Sequence, residues 1–172
     1  MFLLKTVDPK QATGSVAEAY AVFPKEVGVP TPLQLMSASP GLLERQAATI
    51  RYYMNHPKLT FPLLAAIRFL AASKINHPFC IEFNGGVLMK MGLTAEEMAT
   101  LKDNPGASSL EPDEAAMLAF VAKALNDPAS VAEADIQALR ELGYADSDIF
   151  DALAHAANMT AGALLYKTFV RE

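Results

Sequence analysis

The sequence has 172 residues, which is enough chain for one domain with a core of its own. Its formal net charge of −5 argues against the basic surface that nucleic acids and anionic membranes require, so neither is expected as a partner. The hydrophobic fraction of 52% is high for a soluble chain and favours apolar surface buried between subunits. The single cysteine excludes an intrachain disulfide and fits a reducing compartment.

The apolar segments are too short for targeting or for spanning a membrane. The opening MFLLK is shorter than the apolar region of a signal peptide. The longest apolar run, Phe61 to Ala72, contains Arg68 and falls short of the roughly 20 residues that a membrane span needs. We therefore expect a cytoplasmic protein with no membrane partner.

Apolar residues recur with the helical period along most of the chain, and Pro, Gly and Asn interrupt the pattern. The segment GVPTPLQL, residues 28–35, is predicted to be an extended linker that leads into a brief turn, because Pro disfavours helix in the residue before it. The prediction is an all-α helical bundle of about eight or nine helices, forming a single domain over residues 1–172. The predicted helices cover residues 15–23, 41–54, 60–75, 78–91, 94–104, 112–125 and 132–142, followed by a last helix that starts at residue 146.

The helical spacing also predicts which faces are buried. The helix over residues 60–75 is apolar almost all round, which indicates burial in a core or between subunits. Gly85 and Gly86 each cost a helix about 1 kcal/mol relative to Ala, which suggests a close helix approach there. Inward faces are predicted on three further helices by Leu43, Ala47, Ile50 and Met54, by Met117, Phe120, Val121 and Ala124, and by Ile149, Leu153, Ala156 and Leu164.

The stretch INHPFCIEFNGG, residues 75–86, contains the only cysteine. Asn-His-Pro also occurs at residues 55–57, and both copies fall at a helix boundary, since Pro is favoured at the first helical position. His77 would then cap the helix, and the sulfur of Cys80 would lie near the positive end of the helix dipole. The dipole contributes about 0.3–1 kcal/mol, or less than one pKa unit, so a reactive thiolate needs a cationic partner. By sequence only His77 is well placed for that role, and the alternative is a buried structural cysteine.

The run SKINHPFCIEFNGGVLMKMGLTAEEM, residues 73–98, resembles the core motif of the carboxymuconolactone decarboxylase / AhpD-like (alkylhydroperoxidase D) superfamily. In that family a buried helix leads into Cys-x-x-Cys at a helix N-terminus, and a histidine follows four residues after the second cysteine. The segments VPTPLQLMSASPGLLE and EPDEAAMLAFVAKALNDP resemble its peroxidase-related branch. The resemblance covers most of the chain and implies an all-α subunit that assembles into dimers, trimers or hexamers.

Three of the four redox positions of the family are changed in this sequence. Cys80 matches the second cysteine, but the first falls on His77 and the family histidine falls on Asn84. The glutamate of the family's proton relay falls near Ala65. A dithiol–disulfide cycle within one chain is impossible, because it needs two thiols.

Three functions stay open at this point. One is a one-cysteine thiol peroxidase of the antioxidant type, in which Cys80 attacks a peroxide, His77 pairs with the thiolate and Asn84 orients the peroxide. An external thiol would then reduce the sulfenic acid. Another is a non-redox binding protein or oligomeric scaffold in which Cys80 is only packed. The third is a lyase of the decarboxylase type, with a lactone-like substrate and catalytic residues that the sequence does not identify.

Neither a cofactor nor a metal is predicted. The three histidines, His56, His77 and His155, do not have the spacing of metal ligands. His155 lies in an alanine-rich helical pattern and is predicted to be a core or interface histidine. Glu82 is predicted to be a solvated or interface charge, because its position points away from Cys80.

Overall fold

The computed structural model describes residues 1–171, and this part of the chain is all-α, as predicted. It contains nine α-helices and three short 3-10 helices, and its one β-bridge joins Phe2 to Val170. None of the described helices is long and apolar enough to cross a membrane. The α-helices are α1 (Gly14–Tyr20), α2 (Thr31–Met36), α3 (Pro40–Met54), α4 (Phe61–Lys74), α5 (Pro78–Lys90), α6 (Ala95–Asp103), α7 (Pro112–Asn126), α8 (Glu133–Glu141) and α9 (Asp146–Phe169).

The chain divides into two compact units, one formed by Met1–His56 with the segment from Leu164 onward, and the other by Pro57–Ala163. In the first unit, α1 and α2 both pack against α3. One buried hydrophobic cluster of this unit consists of Ala19, Tyr20, Leu33, Leu43 and Ala47. The prediction of one domain over residues 1–172 stays a prediction.

The second unit is organised around α4, which contacts α5, α6 and α7. Five consecutive residues of α4, from Leu63 to Ile67, are buried, so its burial extends round the helix as predicted. Thr60 caps this helix, because its hydroxyl oxygen accepts a hydrogen bond from the backbone N–H of Leu63 (3.3 Å). The same hydroxyl donates to the carboxylate of Glu114, a buried residue at the start of α7.

Local signals define the ends of several helices. Thr94 and Glu97 form the predicted capping box at the start of α6. The end of α5 is followed by Gly92 at φ +105°, a backbone conformation that favours glycine.

The Cβ position of Gly85 lies 3.4 Å from Phe69 of α4, so the predicted close approach is confirmed there. Gly86 has open space at the same position.

Three predictions about segments and faces differ from the structure. Residues 31–36 form helix α2 instead of an extended linker and turn, because Pro32 lies in the first turn, where its missing N–H costs nothing. Leu164 was predicted to be buried but is 68% exposed. Met54, at the last turn of α3, is also exposed, whereas its neighbour Tyr53 is buried. Leu164 and Met54 lie in the C-terminal parts of their helices, where the apolar pattern of the sequence continues beyond the residues that pack against the core.

Candidate functional site

The segment that precedes Cys80 is the junction between α4 and α5. Asn76 has φ +48°, a left-handed conformation that asparagine tolerates better than most residues. The N–H of His77 donates to the carbonyl of Ala72 (3.0 Å), and the N–H of Asn76 donates to that of Ser73 (3.1 Å). This pair of bonds is a Schellman motif that ends α4. The prediction that Asn-His-Pro is a helix boundary is therefore confirmed for residues 76–78.

His77 is the N-cap of α5 and is only 2% exposed. Its Nδ1 atom accepts a hydrogen bond from the backbone N–H of Cys80, with 3.4 Å between the two nitrogens. A ring nitrogen that accepts a hydrogen bond carries no proton, so this contact uses the unprotonated Nδ1. In this arrangement His77 orients the first turn of the helix. Its role as the partner of a thiolate stays a prediction.

Cys80 lies in the first turn of α5 and is 7% exposed. Burial raises the pKa of its thiol, because a thiolate loses solvation when it is removed from water. This effect opposes the helix dipole, which is too weak to override it. The structure therefore holds Cys80 mostly in the thiol form near neutral pH.

Asn84 is one helical turn beyond Cys80 and is 2% exposed. Its side-chain nitrogen donates to the backbone carbonyl of Cys80 (2.8 Å). Its side-chain oxygen accepts a hydrogen bond from Nε of Arg68 (2.8 Å), a residue of α4. The two contacts fix the orientation of the amide and connect the first turn of α5 to a cation on the neighbouring helix. Asn84 and Cys80, both predicted site residues, are therefore brought together.

The Arg68 guanidinium also contacts His155 of α9, with 3.0 Å between an Arg68 terminal nitrogen and Nε2 of His155. Burial and, to a smaller extent, the positive charge of Arg68 lower the pKa of His155 to about 3. A hydrogen bond to the backbone carbonyl of Leu64 acts in the opposite sense. His155 is therefore neutral and accepts from Arg68. The prediction of a histidine satisfied within the protein agrees with this contact.

Arg68 is the residue of this cluster that the sequence analysis missed. Burial lowers the pKa of its guanidinium to about 10, so the group is still charged at neutral pH. One signal in the sequence pointed to it. Arg68 is the only charged residue in the apolar run from Phe61 to Ala72, and the analysis used it only to exclude a membrane span.

Two grooves of the second unit are lined by residues outside this cluster. One, of about 390 Å³, is mainly apolar and runs between α7, α8 and α9. The other, of about 320 Å³, is lined by Lys74, Lys102 and Asp103 among others. Neither is lined by Cys80, His77, Asn84 or Arg68. Within residues 1–171 there is also no group of three His, Cys, Asp or Glu side chains placed to hold a metal ion.

The helical fold of the chain resembles that of two proteins of known structure. The crystal structure of a peroxidase-related protein with an AhpD core, from Ralstonia eutropha JMP134, matches this chain with a TM-score of 0.78 and 21% identity. The match covers 96% of this chain and 88% of that one. A peroxidase-related protein from Silicibacter sp. TM1040 matches with a TM-score of 0.75 and 19% identity, over 98% and 92% of the two chains. At these identities the likeness shows the fold alone.

An alkyl hydroperoxide reductase of Mycobacterium tuberculosis adds a likeness in sequence. It is 30% identical to this chain over 99 residues, which are 57% of this chain and 29% of that protein. This chain therefore matches less than a third of its curated relative. No family model matches the sequence. Together these likenesses show an AhpD-like fold for the chain and a likeness in sequence, over part of its length, to an alkyl hydroperoxide reductase.

Proposed function

We propose that this protein is a peroxidase-related oxidoreductase in which Cys80 is the only redox-active group. The observation that carries the proposal is the position of Cys80 in the first turn of α5, within an AhpD-like fold. The likeness to an alkyl hydroperoxide reductase supports an organic hydroperoxide as the substrate class. Since the chain has one cysteine, a second sulfur must come from an external thiol.

The proposed cycle balances with these two reactants. The Cys80 thiolate attacks the terminal oxygen of the hydroperoxide, the O–O bond breaks, and the alcohol leaves with a proton. Cys80 is oxidised to the sulfenic acid. One external thiol condenses with it to release water and form a mixed disulfide, and a second external thiol displaces Cys80 as the free thiol. His77 and Asn84 shape the first turn of α5 around the sulfur.

The buried thiol favours one alternative, in which the protein binds a ligand or serves as a scaffold without redox chemistry. Burial raises the pKa of Cys80, and no positively charged group is among the causes of its shift. A structural cysteine has these properties. No comparable observation in the site favours the lyase alternative.

We also propose that the protein is a cytoplasmic homo-oligomer. The exposed apolar side chains of Met89 and Met91 support self-association, because such surface is normally covered. The single cysteine supports a reducing compartment.

The test measures the reaction of Cys80 with iodoacetamide and with an alkyl hydroperoxide between pH 6 and 10. We expect alkylation with a midpoint above the ordinary thiol pKa of about 8.5, because burial favours the neutral thiol. We also expect hydroperoxide to produce a sulfenic acid that dimedone traps at Cys80, with a rate that rises over the same pH range. Mass spectrometry identifies both adducts, and Cys80→Ser gives neither.

The repeated Asn-His-Pro motif offers a matched control. His77→Ala should change the rates at Cys80, because it removes the side chain that caps the first turn of α5. His56→Ala, at the other copy, should leave them unchanged. If alkylation proceeds at pH 9 but hydroperoxide gives no sulfenic acid, the thiol is accessible without being peroxidatic, and the non-redox alternative replaces the proposal.

A further inference from the structure

The Arg68 guanidinium has hydrogen-bond donors that the protein leaves unused. A guanidinium carries five N–H donors, and in Arg68 one points to Asn84 and one to His155. Its other close contact is with the Phe61 ring, whose centroid lies 5.9 Å from the guanidinium carbon. No ion pair joins Arg68 to a carboxylate among residues 1–171. A charge that is partly removed from water thus has only neutral partners.

The protein surroundings leave this positive charge uncompensated. Removing a guanidinium from water is costly unless an anion pairs with it. Asn84 is uncharged, and His155 is neutral because burial and Arg68 both lower its pKa, to about 3. The cluster therefore carries one net positive charge. The Arg68 side chain is half-buried, so part of it still faces solvent.

We propose that Arg68 binds the carboxylate group of a small organic acid, with Asn84 and His155 positioning the guanidinium. The Nε donor and one terminal donor are held by the protein, which fixes the plane of the group and leaves three N–H donors for an anion. Phe61 is 55% exposed beside the guanidinium and offers an apolar surface to the rest of the ligand. This site does not depend on thiol chemistry at Cys80.

The charge of the cluster favours a carboxylate over a phosphate. A phosphate monoester carries nearly two negative charges at neutral pH, whereas this cluster offers one positive charge. A carboxylate carries one negative charge and matches the planar fork of a guanidinium with two parallel hydrogen bonds. An apolar organic acid also uses the exposed ring of Phe61, which inorganic phosphate cannot do.

The experiment measures binding of acetate, benzoate and octanoate to the full chain by isothermal titration calorimetry at pH 7. Benzamide and inorganic phosphate serve as comparison ligands, since one lacks the charge and the other lacks the apolar part. We expect benzoate or octanoate to bind more tightly than acetate, and benzamide and phosphate to bind at least about tenfold more weakly than benzoate. Absence of binding by all three acids, or equal binding of benzoate and benzamide, overturns the proposal.

Two substitutions at Arg68 separate charge from geometry. Arg68→Met should weaken benzoate binding by about tenfold or more, since a charge-assisted hydrogen bond is lost. Arg68→Lys keeps the charge but loses the planar fork, so it should give an intermediate affinity. Arg45→Met makes the same change at an exposed arginine of α3 and should bind benzoate as the unmodified protein does.

Folding and assembly are measured on the same samples. Far-UV circular dichroism shows whether each variant is folded, and if Arg68→Met is not, Arg68→Lys and the benzamide comparison still decide the outcome. Light scattering with size-exclusion chromatography gives the molecular mass. If Arg68→Met dissociates an oligomer and benzoate does not bind to the unmodified protein, a second copy supplies the anion and the proposal of a small-molecule site fails.

Discussion

Replacing Asn84 by leucine should destabilise the protein by about 2–4 kcal/mol. The side chain is 2% exposed and holds two hydrogen bonds, one from the charged Arg68 and one to the carbonyl of Cys80. Losing a hydrogen bond to a charged group costs about 1.5–3 kcal/mol, and a neutral one about 0.5–1.5 kcal/mol. Leucine keeps the branching of the side-chain heavy atoms, so the change leaves no cavity, and its bulkier methyl groups add to the cost of losing the two bonds.

The assay is urea unfolding followed by circular dichroism, with Asn84→Leu, Arg68→Met and the double variant in one thermodynamic cycle. We expect a coupling free energy of about 1–3 kcal/mol, because both single changes break the same charge-assisted bond. Glu82→Ala is the control, since it removes an exposed charge from the same helix and should change stability by less than about 0.5 kcal/mol. A coupling free energy below about 0.5 kcal/mol would show that the Arg68–Asn84 bond does not stabilise the fold, and the reasoning would be refuted.

Three further predictions concern the pH dependence of stability and the ends of helices. The free energy of unfolding should fall as the pH drops from about 6.5 towards 3, because the pKa of His155 is lowered to about 3 in the folded protein and the unfolded chain takes up the proton first. The urea midpoints of the His155→Gln variant, measured from pH 5 to 7, should show a smaller fall. An equal dependence of the urea midpoint on pH in both proteins would contradict this prediction. Gly92→Ala should lower the free energy of unfolding by about 1–3 kcal/mol, because φ is +105° there. Gly86→Ala, with open space at its Cβ position, should raise it by about 0.5–1 kcal/mol in the same thermal unfolding experiment. Thr94→Ala should cost about 0.5–2 kcal/mol by loss of the capping box, and Thr94→Ser should restore most of that stability.

The helices of this protein could be predicted from the sequence because their signals are local. Asn76, His77 and Pro78 combine a left-handed residue, a cap and a first-turn proline within three positions, which defines one helix boundary. Thr94 and Glu97 define another by reciprocal hydrogen bonds three residues apart. The prediction for residues 31–36 was wrong because it also used only a local signal. Two prolines favour extended chain, but a helix can still start between them.

The protonation of Cys80 and the contacts of Arg68 depend on segments that are distant in the sequence, so a local sequence pattern does not predict them. The sequence identified Cys80 by resemblance and His77 by proximity, but the direction of the Cys80 pKa is set by burial among side chains from elsewhere in the fold. Arg68 and His155 are 87 positions apart, and packing of α4 and α9 within one unit brings them to 3.0 Å. The sequence by itself determined the helices, the cap at His77 and the single thiol. Only the tertiary structure decided that Asn84 of α5 accepts a hydrogen bond from the half-buried guanidinium of Arg68 in α4 and that this guanidinium meets His155 of α9, because long-range hydrogen bonding arises only when distant segments pack together.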